Sequence, residues 1–272
     1  MQNELKTIIR FNDFVAYFGP RGVVAMAWWM GAVHADRIRK DQNSFPFLQI
    51  IGDAGVGKSL LLNYLLKLTG QVPYAYSLAS TTPAARARAA VGAGSRVVIY
   101  EHEDASDQLI DWDELKPLFD RGGVYFKSGD GLAQAHTFKG AVTITANHPL
   151  QCSDAVTSRM VFINFSGDNP HTTRIRPDSL NDLDENKAIA FGMKVIQSEE
   201  WISSNLDTLV PGYQGQLTRK YGESLNQRTA LNCAQMLALL DLLCTLLSIS
   251  EELRLEAREV INHIAFLDTI PY

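Results

Sequence analysis

The stretch FLQIIGDAGVGKSLLLNYLLKL, residues 47–68, constrains this chain more than any other. Five residues that read as a buried strand run into Gly52-Asp53-Ala54-Gly55-Val56-Gly57-Lys58-Ser59, and a Leu-rich helix follows from Leu60. This is G-x-x-x-x-G-K-[ST] in its required setting, with a strand before and a helix after. The glycines let consecutive backbone N–H groups turn inward around an anion. The helix N-terminus adds partial positive charge at the same place. Lys58 can reach the β- and γ-phosphates of a nucleoside triphosphate, and the Ser59 hydroxyl can ligate Mg²⁺. The contact set expected around the phosphates is therefore Gly52, Asp53, Ala54, Gly55, Val56, Gly57, Lys58, Ser59 and Leu60.

What else the chain does must come from the rest of its 272 residues, a length that suits one large domain or a core with helical additions. Hydrophobic residues make up 46% and charged residues 20%, as in ordinary globular proteins. A net charge of −5 does not advertise nucleic-acid binding, so any such site must be a local patch. The three cysteines, Cys152, Cys233 and Cys244, lack C-x-x-C spacing. They suggest neither a zinc site nor a disulfide framework and fit a reducing cytoplasm. The opening MQNELKTIIR is mixed and charged, unlike a signal peptide. The apolar run 230–247 is long enough to cross a membrane, but Asn232, Gln235 and Asp241 interrupt it. A buried bundle helix is the better reading, and no membrane partner is expected.

Residues 1–44 read as helical: a short segment Phe11–Phe18 stopped at Gly19-Pro20, then a longer helix over Arg21–Lys40. Trp28-Trp29 reads as core, with a nucleobase platform as the alternative. The cluster Arg37–Lys40 reads as a solvated helix end rather than a DNA patch. After a helix closed by Gly70 and a β-type segment Val72–Tyr76, Ser80-Thr81-Thr82-Pro83 has the form of a capped helix start. The helix it opens carries Arg86 and Arg88 with no acid beside them.

Arg96–Tyr100 is a short apolar strand, expected inside a parallel sheet, that delivers Glu101-His102-Glu103-Asp104 at its C-terminal end. Carboxylates there can hold Mg²⁺ and orient an attacking water, and Glu101, Glu103 and Asp104 compete for the roles. Asp111–Phe119 predicts a short helix with Trp112 and Leu115 inward. Gly122–Gly140 predicts a β-hairpin turning at Ser128-Gly129-Asp130-Gly131. The strand Ala141–Ala146 ends at Asn147, whose amide can touch both the attacking water and the γ-phosphate, or simply turn the chain before Pro149. Arg159 precedes a last strand, Met160–Phe165, at the sheet edge away from the nucleotide, either as an arginine finger for a neighbouring subunit or as a surface ion-pair residue. Beyond Gly167 the pattern is helical: one or two helices over 181–209, a break at Pro211-Gly212, another helix over 216–223, then the apolar run and the amphipathic 251–266. The final residues carry no stop signal, so the chain reads as a piece of something longer.

GDAGVGKS at 52–59, STTPAARARA at 80–89, RVVIYEHED at 96–104, WDELKPL at 112–118, FKGAVTITANHPL at 138–150 and SRMVFINF at 158–165 together resemble the AAA+-like core of superfamily 3 helicases. The wording is most similar to the helicase module of primase-helicases from phages and bacterial mobile elements. The match covers about residues 45–166. The fold this implies is α/β: an AAA+-like P-loop core with a parallel sheet and an inserted β-hairpin, flanked by helical segments. The division expected is 1–44 helical, 45–168 core and 169–272 C-terminal helical bundle.

The resemblance also implies ATP and Mg²⁺ as cofactors, Lys58 with Ser59 on the phosphates, and an acidic strand end at Glu101 with Glu103 or Asp104. It implies Asn147 as the polar sensor, Arg159 as the trans-acting arginine, and Lys127, His136 and Lys139 as hairpin contacts to the DNA backbone. His102 interrupts the acidic pair, and the hairpin is poor in cations with Asp130 at its tip. Repetition around a hexamer or similar ring would let an acidic chain still grip DNA. The function implied is an ATP-dependent ring helicase or translocase on single-stranded DNA. It would replicate a phage or mobile element in the cytoplasm of a bacterial cell or phage-infected host, possibly with a fused or separate primase. The alternative is a nucleotide-gated AAA+ binding module, such as an initiator, loader or defence switch, that does not unwind.

Overall fold

The computed structural model describes residues 2–72, 75–77, 81–102, 110–127, 133–165 and 178–270. Three helices lead: α1 (Gln2–Ile8), α2 (Phe11–Ala32) and α3 (Ala35–Gln42). The next elements are β1 (Phe47–Ile51), α4 (Lys58–Thr69), β2 (Ala75–Ser77), α5 (Pro83–Gly92) and β3 (Val97–Glu101). A 3₁₀ turn (Trp112–Leu115) continues into α6 (Lys116–Phe119) and then β4 (Gly123–Lys127) and β5 (Ala133–Thr137). After β6 (Ala141–Ala146), α7 (Asp154–Thr157) and β7 (Met160–Asn164), the chain ends in helices. These are α8 (Asp178–Asn181), α9 (Glu185–Gln197), α10 (Glu199–Tyr221), α11 (Gln227–Leu247) and α12 (Glu251–Asp268), with a 3₁₀ turn at Gly222–Ser224.

Five strands form one parallel sheet in the order β2-β3-β6-β1-β7, while β4 and β5 pair antiparallel as a separate hairpin. Because every sheet strand runs the same way, their C-terminal ends share one edge. Ile51 lies opposite Ala146 and Asn164, and Glu101 lies opposite Thr145 and Ser77. A strand buried on both faces reads as a largely apolar run, and every residue of FLQII and AVTITA is buried.

Successive side chains point to opposite faces. Leu48, Ile50, Val97, Ile99, Val161 and Ile163 join one large apolar core with α2, α4, α9, α11 and α12. Phe47, Val98, Tyr100, Val142, Ile144 and Met160 join a smaller one with α5, the 3₁₀ turn and the hairpin base. Trp28 and Trp29 are fully buried in the first, edge to face at 5.7 Å, so they are core and not a nucleobase platform. Gln227–Leu247 is long and apolar enough to cross a membrane, yet 83% of its apolar window is buried, under α2, α10 and α12.

Several expectations change. Gly19 is non-helical (φ 58°, ψ −155°) and kinks α2 at the predicted stop. The helix beyond it does not run to Lys40 but ends at Ala32, and α3 begins at Ala35. His34, at the break, is 7% exposed, with Nε2 at 3.1 Å from the Val195 carbonyl of α9, a contact the local pattern does not encode. Burial lowers its pKa, against the Val195 hydrogen bond and the charge of Glu199. Arg37–Lys40 is not wholly solvated either, because Arg39 is only 2% exposed. Pro211-Gly212 does not break the chain: α10 runs through both and takes in most of the expected 216–223 helix. Pro211 and Gly212 face solvent while Val210 and Tyr213 are buried, so the carbonyl that loses its N–H partner lies where water can serve it. Asn181–Leu209 is spread over three helices rather than one or two.

Candidate functional site

The loop between β1 and α4 starts from two fixed points: Gly52 N–H donates to the Ala146 carbonyl at 3.2 Å, and Phe165 N–H donates to the Ile51 carbonyl at 2.7 Å. Both neighbouring strands therefore hold its root. Gly55 (φ 88°) and Gly57 (φ 97°) then adopt left-handed backbone that side chains disfavour. At Gly57 a Cβ would also approach the Tyr17 ring to 3.0 Å. The curl brings the chain onto the first turn of α4, whose leading N–H groups have no acceptor within the helix. Such a cradle fits a phosphate chain: the backbone donors converge and the helix dipole points into it.

Lys58 folds back over this loop. Its ammonium donates to the Gly52 carbonyl, to the Asp53 carbonyl at 3.2 Å and to Asn147 Oδ1 at 2.9 Å. Residues 58 and 147 meet because β6 lies beside β1 with Ile51 opposite Ala146. One strand further on, β3 delivers Glu101 to the same edge, where His102 N–H donates to the Thr145 carbonyl at 2.9 Å. Asn147 thus sits between Lys58 and the acidic strand end. Glu101 and Ser59 are exposed at this edge. Glu103 and Asp104 lie outside the described residues.

Among the described residues no group of three or more His, Cys, Asp or Glu gathers as a metal cage. Mg²⁺ at a phosphate site keeps several waters and takes only one or two protein oxygens beside the phosphates, so Ser59 and Glu101 are the described residues that could hold it.

Arg159 occupies the opposite edge, just before β7, where its carbonyl accepts from Phe47 N–H at 3.0 Å. Its guanidinium donates to the Ala155 carbonyl and lies 5.3 Å from the Phe119 ring centre. Arg228, from the start of α11, approaches the same ring at 6.0 Å and donates to Ser158 Oγ at 2.9 Å. Burial, and then the like charge of Arg228, lower the Arg159 pKa, with Asp120 and Asp113 opposing them.

On the hairpin, the His136 ring stacks on Phe126 at 4.2 Å and 4°, with Nε2 shielded from solvent. Lys139 is exposed just beyond β5, at the hairpin base. Lys127 ends β4, and the expected turn at 128–131 and the Lys127 side chain lie outside the described residues. Sequence reasoning missed Tyr125, 68% exposed on β4. The signal was present, since strand alternation sends it away from its inward neighbours Val124 and Phe126. Arg39 lay inside the cluster read as a solvated helix end, and nothing local singled out Arg228.

No protein-family model matches the chain, and no curated protein matches it. Among solved structures it is similar to the active helicase SCCmec type IV Cch, with a TM-score of 0.64 and 13% identity. That likeness covers 95% of this chain but 51% of the helicase, so the chain spans about half the length of its structural neighbour. At this identity the match shows the fold alone: a P-loop-like α/β core with a parallel sheet, a small antiparallel hairpin and flanking helices.

Proposed function

We propose that this chain is the ATP-hydrolysing module of a ring helicase or translocase that acts on single-stranded DNA, akin to superfamily 3 helicases of phages and mobile elements. The observation that carries the reading is the meeting of Lys58 Nζ and Asn147 Oδ1 at 2.9 Å, on the sheet edge that also presents Glu101. A loop lysine beside a neutral amide and near a carboxylate is what phosphoryl transfer to water needs: a cation for the phosphates, a polar group for the attacking water, and a base. ATP is the substrate. Mg²⁺, held by Ser59 with Glu101 or Asp104, would supply charge neutralisation on the phosphates.

Lys58 in the proposed cycle leaves its carbonyl partners for the phosphate oxygens, while Asn147 keeps it and the water aligned. Glu101, or Glu103, accepts the proton of the water. Arg159 of a neighbouring copy would complete the site from the opposite edge of that copy's sheet. The hairpin, with Lys127, His136 and Lys139 as its cations, is the element that would move along DNA. Assembly into a hexamer or similar ring, and a fused or separate primase, belong to the same proposal.

Lys58→Ala should abolish DNA-stimulated ATP hydrolysis, and full turnover in that variant sinks the reading. Arg159→Ala should remove turnover but leave nucleotide binding. Mixing the two variants should restore part of the activity, because some interfaces then pair an intact loop with an intact arginine. Absence of restoration at every ratio overturns the shared site. Strand displacement from a forked duplex with ATP separates this reading from a nucleotide-gated module that hydrolyses without unwinding.

A further inference from the structure

Away from the phosphate loop, α3 faces the root of the hairpin across a cleft. Two adjoining cavities of about 510 and 250 Å³ share Asp36, Lys40 and Lys139 in their walls. The smaller is completed by Arg39, Asp120, Arg121, Thr137 and Phe138, so four cations meet two carboxylates there. Lys40 is committed to Asp36 at 2.5 Å. Arg121 and Lys139 are exposed and form no ion pair among the described residues.

Arg39 is the unusual member of this wall. It is 2% exposed, its Nη2 donates to the Gly140 carbonyl, and its guanidinium stacks 5.0 Å from the Phe138 ring centre. Nε and Nη1 have no acceptor among the described residues. Burial lowers its pKa to about 10, which leaves it charged at neutral pH. A charge held out of water is poorly screened, so its field extends into the cavity beside it, offset in part by Asp36 and Asp120 in the same wall.

Size and donor geometry indicate the ligand. The smaller cavity, about 250 Å³, has room for a single compact anion, and the adjoining 510 Å³ leaves space for whatever that anion is attached to. The cations come from three chain segments: α3, the residue pair before β4, and the turn after β5. Donors arriving from several directions suit a tetrahedral oxyanion better than a flat carboxylate.

We propose that this cleft is a phosphate site at the root of the hairpin, with Arg121 and Lys139 making the contacts and buried Arg39 supplying the field behind them. The phosphate could belong to the backbone of a single strand or be free in solution, and only the first source rests on the function proposed above. Bound there, a backbone phosphate would tie the hairpin root to α3 and register where the strand lies relative to the sheet.

The test uses the full chain carrying Lys58→Ala, which weakens phosphate binding at the loop. Arg39→Ala is avoided because its loss from the core could unfold the chain, whereas Arg121 and Lys139 are exposed. Arg121→Ala with Lys139→Ala should lower the affinity for a labelled oligo(dT) about tenfold and reduce the salt slope by about 1–2. The same pair should abolish the rise in thermal midpoint that inorganic phosphate produces at constant ionic strength, and Lys139→Glu should do so alone. Loss of the phosphate effect with unchanged oligo(dT) binding keeps the site but assigns it to free phosphate. Unchanged oligo(dT) binding together with an unchanged phosphate effect overturns it. ATP hydrolysis by the parent chain is measured separately, so failure of the proposed activity would not be mistaken for failure of this site.

Discussion

The two faces of the sheet are built by different means. One is covered by a thick apolar layer in which α2, α4, α9, α11 and α12 share one continuous core with the strands. The other carries a thinner core, and polar pins reinforce it. Arg86 on α5 is bidentate to Glu114, with Nη2 to Oε2 at 2.8 Å, and also donates to the Thr81 carbonyl. Arg39 holds the Gly140 carbonyl, and Arg159 and Arg228 crowd Phe119. Apolar burial is non-directional and yields a rigid, cooperative block. Charge-assisted contacts at a few points leave a segment able to open by itself. The hairpin belongs to the thinner side, where Val124 and Phe138 are its buried anchors.

The largest effect that can test this contrast is expected on the thick side. Trp28 is fully buried, donates Nε1–H to the Pro46 carbonyl at 2.8 Å and stands 5.5 Å from Phe45. Trp28→Ala should cost about 3–5 kcal/mol in urea unfolding, a large share of a typical 5–15 kcal/mol. The loss should appear as one transition by circular dichroism and by fluorescence. A loss of the α2, α11 and α12 helices in separate steps would mean that the thick face is not one cooperative block.

The thin side should answer differently. Glu114→Gln strips the anion from Arg86, whose side chain is 8% exposed, and the uncompensated charge should cost about 3 kcal/mol. The expected signature is local: faster amide hydrogen exchange in α5 and β4, which pack together, with α11 unchanged. Equal acceleration in α11 would merge the two faces into one unit and remove the contrast.

Legibility in the sequence followed the same divide. Where structure is set by neighbours along the chain, the residues announce it. FLQII before the glycine loop, AVTITA before Asn147, and Thr82-Pro83 before α5 all carry local signals. Where structure is set by partners far away, they do not. The break at His34 depends on Val195, and Arg86 appears unpaired until the fold brings Glu114 to it. The passage of α10 through Pro211 depends on its packing along α11. In the candidate site the loop and Asn147 were legible as separate pieces. Their meeting depends on β6 lying next to β1, an order that no local pattern specifies. Arg39 and Arg228 gain meaning only from the ring and carbonyl they reach.

The smallest effect probes the pinned face at one hydrogen bond. Thr82 caps α5 by accepting from Ala85 N–H at 3.3 Å, and Pro83 follows with its fixed backbone angle. The bond is long, so Thr82→Ala should sit near 1 kcal/mol, the middle of the range for N-cap losses. The next residue of the same helix turn that matters is Arg86, which draws on Thr81 and Glu114. If α5 is held mainly by that pin, removing the cap should fray only the first turn. Exchange should then quicken at Ala85, whose N–H loses its acceptor, while Ala89 and Ala90 keep their protection. If exchange instead rises along the whole of α5, the cap and the ion pair are one cooperative element, and combining Thr82→Ala with Glu114→Gln should cost measurably less than the two separate losses together.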